Sequence, residues 1–392
     1  MRIAMVHSSF AVRGGAERYV RDLTRALIDR GHQVTVHSRP SDGAEPHDRP
    51  VRERFSARLG RHLPRLGRIC THLGDLVDPT GLRPTDLRDI RPDVVHVHNW
   101  QGIGVLPVGR LLRAYPGVHS VHDHAVCDPN NALGNLGRSR TLDRLLAARA
   151  RWITRRLRPA VLLFPSERTR RRVRDSARGV GGVTDRVVPL AVPTPPRRSV
   201  WPRGRRDVLL YLGVLDRHKG LDLLLDAWRE VGAATGGTLL VGGDGPLRPE
   251  VERLAATTGS VRYLGYLDEA GKEAAFAEAG WLVFPSRCAE TFGLVCAEAL
   301  TAGRPVIASA IAAPPMASDG SVLLFDEPEE LTGLLRRAAR MPDDAYAAMS
   351  SSAVADGRRL DWDRHVDTII QTYQSVVAAR TADRRSPEVT RR

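Results

Sequence analysis

The stretch "FPSRCAETFGLVCAEALTAGRPVIAS", residues 284–309, holds a strand end, a loop, a helix and the next strand in one reading. The apolar run "WLVF" (281–284) stops at Pro285, and "RCAETFG" (287–293) ends on a glycine, a pairing of breakers that marks a loop. Helix-forming residues begin at Leu294 and stop at "GRP" (303–305), after which "PVIAS" has the β-branched composition of a strand. Strand, short loop, helix and strand in that order make a parallel βαβ unit. Glu290 thereby falls in the loop beyond a strand's carboxyl end, where open α/β sheets bind ligands. Glu298 falls within the first helical turns, where the helix dipole favours an acid whatever its function. A spacing of eight residues alone does not decide between a working pair and two helix-start acids.

The same alternation runs outward in both directions. Upstream lie "RIAMVH" (2–7), the glycine turn "VRGGAER" (12–18), a helical pattern through Leu27, and then "GHQVTVHS" (31–38). "PDVVHVHN" (92–99), "GVHSVHD" (117–123) and "AVLLFPS" (160–166) continue the series. At 193–206, "PTPPRRSVWPRGRR" is too rich in proline to sustain a helix or central strand and reads as a linker. The pattern then restarts with "DVLLYLG" (207–213), "GTLLVGG" (237–243), "VRYLGY" (261–266), "WLVFPS" and "RPVIAS". The expectation is an α/β protein of two Rossmann-like domains, 1–192 and 207–357, facing across a cleft. An amphipathic closing helix over 358–380 carries Trp362, Val366, Ile369, Ile370 and Tyr373 on one face, and 381–392 is a frayed tail.

A length of 392 residues suits two domains, and 42% hydrophobic with 27% charged residues suits a folded chain. No apolar run reaches the roughly 20 residues of a membrane span, and the start lacks the pattern of a signal peptide. Four scattered cysteines without C-x-x-C spacing fit a reducing compartment. A cytoplasmic location is therefore expected. The net charge is +14 and almost all of it is arginine; Lys219 and Lys272 are the only lysines. Where a lysine persists against such a bias, its compact charge is the feature to examine. Lys219 and Gly220 open a helix after the strand glycine Gly213 and the basic loop with Arg217. A lysine at a helix start is electrostatically disfavoured unless an anion is there to meet it. Gly14 and Gly15 present backbone N–H groups at the other half's first turn, although a Gly-Gly turn serves plain geometry as often. The turn is not G-x-G-x-x-G, which disfavours a dinucleotide cofactor.

The series "LGVLDRHKG", "VGGDGP", "YLGYLD" and "FPSRCAETFGLVCAEALTAGRPVIAS", preceded by "GGAER", "DVVHVHN" and "SVHDHAVC", closely resembles the family 4 retaining glycosyltransferases, which have the GT-B fold. The resemblance spans most of the chain, and its second half is the more specific. It implies a sugar transfer from a nucleotide-diphosphate donor, UDP-linked in preference to GDP-linked, with retention of anomeric configuration and no protein-bound metal. Glu290 and Glu298 become the family's E-x7-E pair, Glu290 on hydroxyls of the donor sugar and Glu298 on the ribose. Backbone N–H groups at Thr291, Phe292, Gly293 and Leu294 meet sugar and diphosphate, and Lys219 neutralises the diphosphate. His122 stands beside the reacting sugar, and Gly14 and Gly15 flank donor and acceptor. The first domain takes the acceptor, which the motifs leave unidentified, and the second takes the donor. Two positions depart from the pattern. Val214 stands where the family carries an arginine, so Arg217 is the substitute cation, and 310–320 ("AIAAPPMASDG") replaces a Gly-Gly segment with a nearby glutamate.

Three other readings are weaker. His96, His98, His122, His124 and Cys127 lie at neighbouring strand ends and suit a metal, but strand-end histidines commonly serve as hydrogen-bonding groups, and "DWD" (361–363) reads as a helix cap. The basic runs 52–68 and 151–175 lack the interleaved aromatics of a nucleic-acid binder. Arg58, Arg61, Arg65 and Arg68 at helical spacing oppose Leu59, Leu63 and Leu66, which suits peripheral contact with an anionic membrane, but Pro64 weakens that helix and an arginine-rich solvated surface is the simpler reading. A nucleotide-sugar binder without turnover is the third reading, motivated by the two departures.

Overall fold

A computed structural model of the protein describes residues 1–11, 14–62, 67–128, 140–178, 181–193 and 205–385. The chain divides into two compact units, Met1–Pro189 with Asp363–Arg392, and Leu190–Trp362. Most of the linker expected at 193–206 lies outside the described residues, as do Val12 and Arg13 of the first glycine turn.

Among the described residues the first unit holds a parallel sheet of seven strands. They are β1 (Arg2–Ser9), β2 (Gln33–Arg39), β3 (Asp48–Pro50), β4 (Val94–Val97), β5 (Gly117–Ser120), β6 (Val161–Phe164) and β7 (Thr184–Val187), in the order β3-β2-β1-β4-β5-β6-β7. Ile3 pairs with Val34 on one side and Val94 on the other. The second unit holds six parallel strands, β8 (Arg205–Leu212), β9 (Thr238–Gly242), β10 (Val261–Gly265), β11 (Ala279–Phe284), β12 (Val306–Ser309) and β13 (Val322–Phe325), in the order β10-β9-β8-β11-β12-β13. Central strands of such sheets are covered on both faces and read as unbroken apolar runs; β4, β5, β11 and β12 are buried along their whole length.

Strand order reverses at β1 in one sheet and at β8 in the other. A crevice therefore opens beyond the carboxyl ends at β1/β4 and at β8/β11, the switch points where doubly wound sheets receive ligands. Three strands escaped the sequence reading. β3 contains a proline and has three residues, and β7 ("TDRV") is a charged edge whose Asp185 is held by Arg170 at 2.9 Å and Arg174 at 2.5 Å. The third, β13, is short, and Leu324 within it is exposed.

The last helix departs from its expected bounds at both ends. Asp343–Arg358 is a helix of its own, and the closing helix runs from Trp362 to Arg385, five residues into the stretch expected to fray. Thr381 Oγ1 still donates to the Val377 carbonyl there at 2.9 Å. From Asp363 on, this helix belongs to the first unit. Val366, Ile369, Tyr373 and Val376 are buried at the i, i+3, i+4 spacing of one helical face, and each fully buried side chain contributes about 1.5–3 kcal/mol. Polar bonds set its register: Tyr19 Oη lies 2.7 Å from His365 Nε2, and Tyr373 Oη lies 2.6 Å from His96 Nδ1. Asp363 takes Arg30 at 2.5 Å, so one acid of "DWD" forms an ion pair in the helix's first turn. Upstream, Phe55–His62 and Gly67–Val77 are helical, and residues 63–66 of the expected basic face lie outside the described residues. Among the described residues no helix is long and apolar enough to cross a membrane.

Replacing Tyr373 by Phe leaves His96 Nδ1 buried without its hydroxyl partner. Loss of about 1–3 kcal/mol of unfolding free energy is expected, read as a lower urea midpoint at unchanged slope.

Candidate functional site

At the β8/β11 switch point two loops are pinned together. Residues Arg217–Lys219 form a short 3-10 turn, begun by Asp216, whose side chain accepts the His218 N–H at 3.0 Å. Gly220 follows in the left-handed region, φ 72°, and starts the helix Leu221–Thr235. A Cβ at Gly220 would sit 1.8 Å from the Pro285 carbonyl oxygen, which is backbone and has no side chain to swing aside. Beside that contact the Arg287 N–H donates to the His218 carbonyl at 3.0 Å. Gly213 lies on the strand-end side of the same loop, and the Val214 carbonyl accepts the Tyr211 hydroxyl at 2.7 Å while its side chain is 40% exposed.

This pinning brings Lys219 and Glu290 into contact, with Nζ donating to Oε1 at 2.7 Å. Ser286 Oγ donates to the same oxygen at 2.9 Å. Ser309 Oγ in turn donates to the Ser286 carbonyl at 2.5 Å, so the end of β12 and the start of the atypical 310–320 segment lie directly behind this loop. Glu298, on the helix Leu294–Thr301, is met by Lys272 at 2.5 Å, and Lys272 also takes Glu269 at 2.9 Å. Burial disfavours the charge on Lys272, but Glu298 and Glu269 outweigh it and raise its pKa above the ordinary lysine value. Each of the chain's two lysines is thus paired with one of the two glutamates. Gly293 caps the helix in the left-handed conformation, φ 82°, so the turn Thr291, Phe292, Gly293 and Leu294 delivers backbone N–H groups at a helix N-terminus.

The expected second cation is placed differently from a free arginine. Arg217 leans 3.6 Å from Asp222 and stays 71% exposed, while Arg287 lies closer to the same carboxylate, at 2.9 Å. Asp222 is in the first turn of its helix, where the dipole holds it. Arg287, Asp222, Ser286 and Lys272 were not singled out from the sequence. Only Lys272 had left a signal there, its rarity.

The first unit's switch point carries different chemistry. Gly14 and Gly15 are exposed at the start of the helix Gly15–Asp29, and no side chain caps Gly14. The Gly14 N–H is not bare, however. The Glu17 carboxylate, raised by burial, is lowered overall by the neighbouring His7, whose Nε2 lies 3.7 Å away, and by the backbone amides of Gly14 and Glu17. His122 sits past β5, its Nε2 3.0 Å from His98 Nδ1 and its ring 5.1 Å from Tyr19. That enclosure pushes the His122 pKa down to about 3, so the ring is neutral near pH 7. Asp123 is raised by burial; it accepts the Ala125 N–H at 2.8 Å and an Asn99 amide N–H at 3.2 Å. The ring nitrogens of His96 are engaged by Tyr373 and by Ser120, the latter at 2.8 Å. Among the described residues no group of three or more His, Cys, Asp or Glu side chains is arranged to hold a metal ion.

Comparison with known proteins is consistent across both units. A family model described as Glycosyltransferase Family 4 matches residues 13–204, and one described as Glycosyl transferases group 1 matches 206–341. The chain is 28% identical to the glycogen synthase of Mycobacterium tuberculosis over 98% of its own length and 96% of that protein. It is 34% identical to the phosphatidyl-myo-inositol mannosyltransferase of the same organism over 47% of this chain and 50% of that one. Among solved structures, HepE of Anabaena in complex with UDP and glucose superposes with a TM-score of 0.65 at 18% identity, covering 96% of this chain and 100% of that one. At that identity the likeness carries the fold.

Gly220→Ala should separate the close approach from simple backbone strain. Gly236 is equally left-handed, φ 65°, but nothing lies within 4 Å of a Cβ built there. Gly236→Ala is expected to cost about 1 kcal/mol in chemical denaturation. Gly220→Ala should cost at least twice that in the same measurement.

Proposed function

The chain belongs to the family 4 glycosyltransferases, a retaining family with the GT-B fold, and we propose that it moves a hexosyl unit from a UDP-sugar, in preference to a GDP-sugar, to a hydroxyl acceptor. Its sugar comes from a nucleotide-sugar donor; the finer assignment is our reading. The acceptor classes to test are lipid-linked or cell-envelope glycans and small metabolites, with the first unit as acceptor domain and the second as donor domain. The mycobacterial relatives act, by name, on glycogen and on a phosphatidylinositol, and the HepE structure contains UDP and glucose. Cytoplasmic action beside an anionic membrane surface is part of the same proposal.

One observation carries it: Lys219–Glu290 and Lys272–Glu298, two ion pairs on the loop and helix of one switch point. In the proposed reaction the bond from the anomeric carbon to the diphosphate breaks as the acceptor oxygen bonds to the same face, and the departing phosphate takes the acceptor proton. Lys219 has three N–H donors; with one on Glu290, two remain for the diphosphate, where charge builds as it leaves. The amides of Thr291 through Leu294 add fixed dipoles. Glu290, positioned by Lys219 and Ser286, accepts from sugar hydroxyls. Glu298, held by Lys272, accepts from the ribose. Neutral His122 and the turn at Gly14 and Gly15 are the first unit's residues in the same proposal.

Nucleotide release should be measured across a donor panel. Glu290→Gln should lower kcat on the best donor by about 10²–10³-fold with UDP affinity little changed. Glu298→Gln should mainly weaken UDP, by about tenfold or more. A protein that binds UDP-sugar without turnover, or variants that match the parent, would remove the catalytic reading.

The missing arginine at Val214 gives a second test. If Arg217 supplies the second cation, Arg217→Ala should weaken UDP about tenfold in a salt-sensitive manner, whereas a larger loss in Arg287→Ala would transfer that role to Arg287.

A further inference from the structure

We propose that Lys272 is a positioning residue of the second unit's nucleotide site, one that orients the Glu298 carboxylate so that the site selects nucleotides by their ribose hydroxyls. The inference rests on the proposed placement of Glu298 on the ribose.

Lys272 stands where its own helix does not favour it. Asp268 caps the helix Glu269–Glu278 by accepting the Gly271 N–H at 2.8 Å, so Lys272 falls in the first turn. The positive end of the dipole lies there, and a cation is disfavoured. Glu269, in the same turn, meets Nζ at 2.9 Å, but its side chain is 51% exposed, and an exposed pair on one helix is weak and screened. The closer partner comes from another helix. Glu298 Oε1 accepts from Nζ at 2.5 Å, with both side chains largely buried. A tertiary contact, not a local one, therefore accounts for the lysine. Burial opposes its charge, and Glu298 and Glu269 outweigh that effect.

Both partners are carried on firmly packed backbone. Ala275 and Phe276, one turn beyond Lys272, share an apolar core with Cys296, Ala299 and Leu300, which lie around Glu298. Arg304, 2% exposed and just past the helix Leu294–Thr301, donates from Nε to the Phe276 carbonyl at 2.8 Å. The helix Glu269–Glu278 is thus tied at two successive turns, by Lys272 to Glu298 and by Phe276 to Arg304. Side chains supported in this way hold a recognition geometry better than side chains on loops.

The consequence is felt at the ribose. A carboxylate offers about four lone-pair positions, so one lysine contact orients the group without exhausting it. The ammonium also offsets a negative charge that would otherwise repel the diphosphate of the same ligand. Methionine at 272 keeps the length of the side chain and loses both effects. Hydrogen bonds to a charged group are strong but depend on direction, so the ribose contacts should fail first, ahead of those to the base.

The test is binding, and it needs no turnover. UDP and its analogue lacking both ribose hydroxyls, 2′,3′-dideoxy-UDP, are titrated by calorimetry into the full chain; GDP and its dideoxy analogue replace them if GDP binds more tightly. The parent should prefer UDP by about tenfold or more. Lys272→Met should cut that preference to about threefold or less, by weakening UDP and leaving dideoxy-UDP within about twofold. Added to Glu298→Gln, it should change UDP affinity by less than about twofold, because residues that act through one another are not additive. If methionine unfolds the chain, Lys272→Gln is read by the same ratio with the same expected loss. Equal weakening of both nucleotides, or a full further loss in the double variant, makes the lysine a structural tie alone and overturns the proposal. A preference lost in Glu298→Gln but kept in Lys272→Met also overturns it, while leaving Glu298 on the ribose. No preference in the parent, no effect of Glu298→Gln on it, or no nucleotide binding removes the placement of Glu298 and this inference together.

Discussion

The second unit's site depends on a methyl group that is not there. Gly220 lies under the Pro285 carbonyl, where any Cβ would be 1.8 Å from the oxygen, and its left-handed φ turns the chain from the 3-10 segment into the helix Leu221–Thr235. Because β8 and β11 are neighbours in the sheet, this one close approach joins the loops that follow them. Lys219 then reaches Glu290, and Arg287 reaches both the His218 carbonyl and Asp222. Without that approach the same side chains would project from two separate loops.

Much of this was readable because parallel sheets write themselves plainly. Central strands such as "VVHV" and "AGWLVF" are buried on both faces, so the apolar runs and the glycine–proline breaks between them placed both sheets. β3 and β7 were not readable for the converse reason: at a sheet's edge a strand need not be apolar, and "DRP" and "TDRV" are not. The closing helix was visible as an apolar stripe, but a stripe has no sharp ends. Its true start at Trp362 and its extension to Arg385 carry no periodic signal.

The candidate site was legible in its identities more than in its contacts. Glu290, Glu298 and Lys219 stood out through motif order and through the scarcity of lysine. The partner of Glu298 did not, because Lys272 is 26 positions away in sequence and on another helix. Asp222 looks like any acid in a first helical turn. That Arg217 and Arg287 share it is a consequence of folding two loops together, which no local pattern announces. His98 was noticed only as one of a group suited to metal. Its contact with His122 and the tilted packing against His96 show instead a set of neutral rings packed against one another.

The two switch points differ in the kind of electrostatics they employ, and the proposed chemistry explains why. A diphosphate is charged before, during and after transfer, so permanent lysine charges, held at carboxylates, suit the unit proposed to bind it. A sugar is neutral, and a fixed charge beside it would have to be desolvated with nothing to offset the loss. The first unit meets that requirement with histidines that burial keeps uncharged, including His122 at about 3 and His119 at about 4. Such rings supply directional hydrogen bonds without net charge. If proton removal belongs to the departing phosphate, a basic side chain at this position adds nothing, and a buried histidine that stays uncharged is in keeping with that.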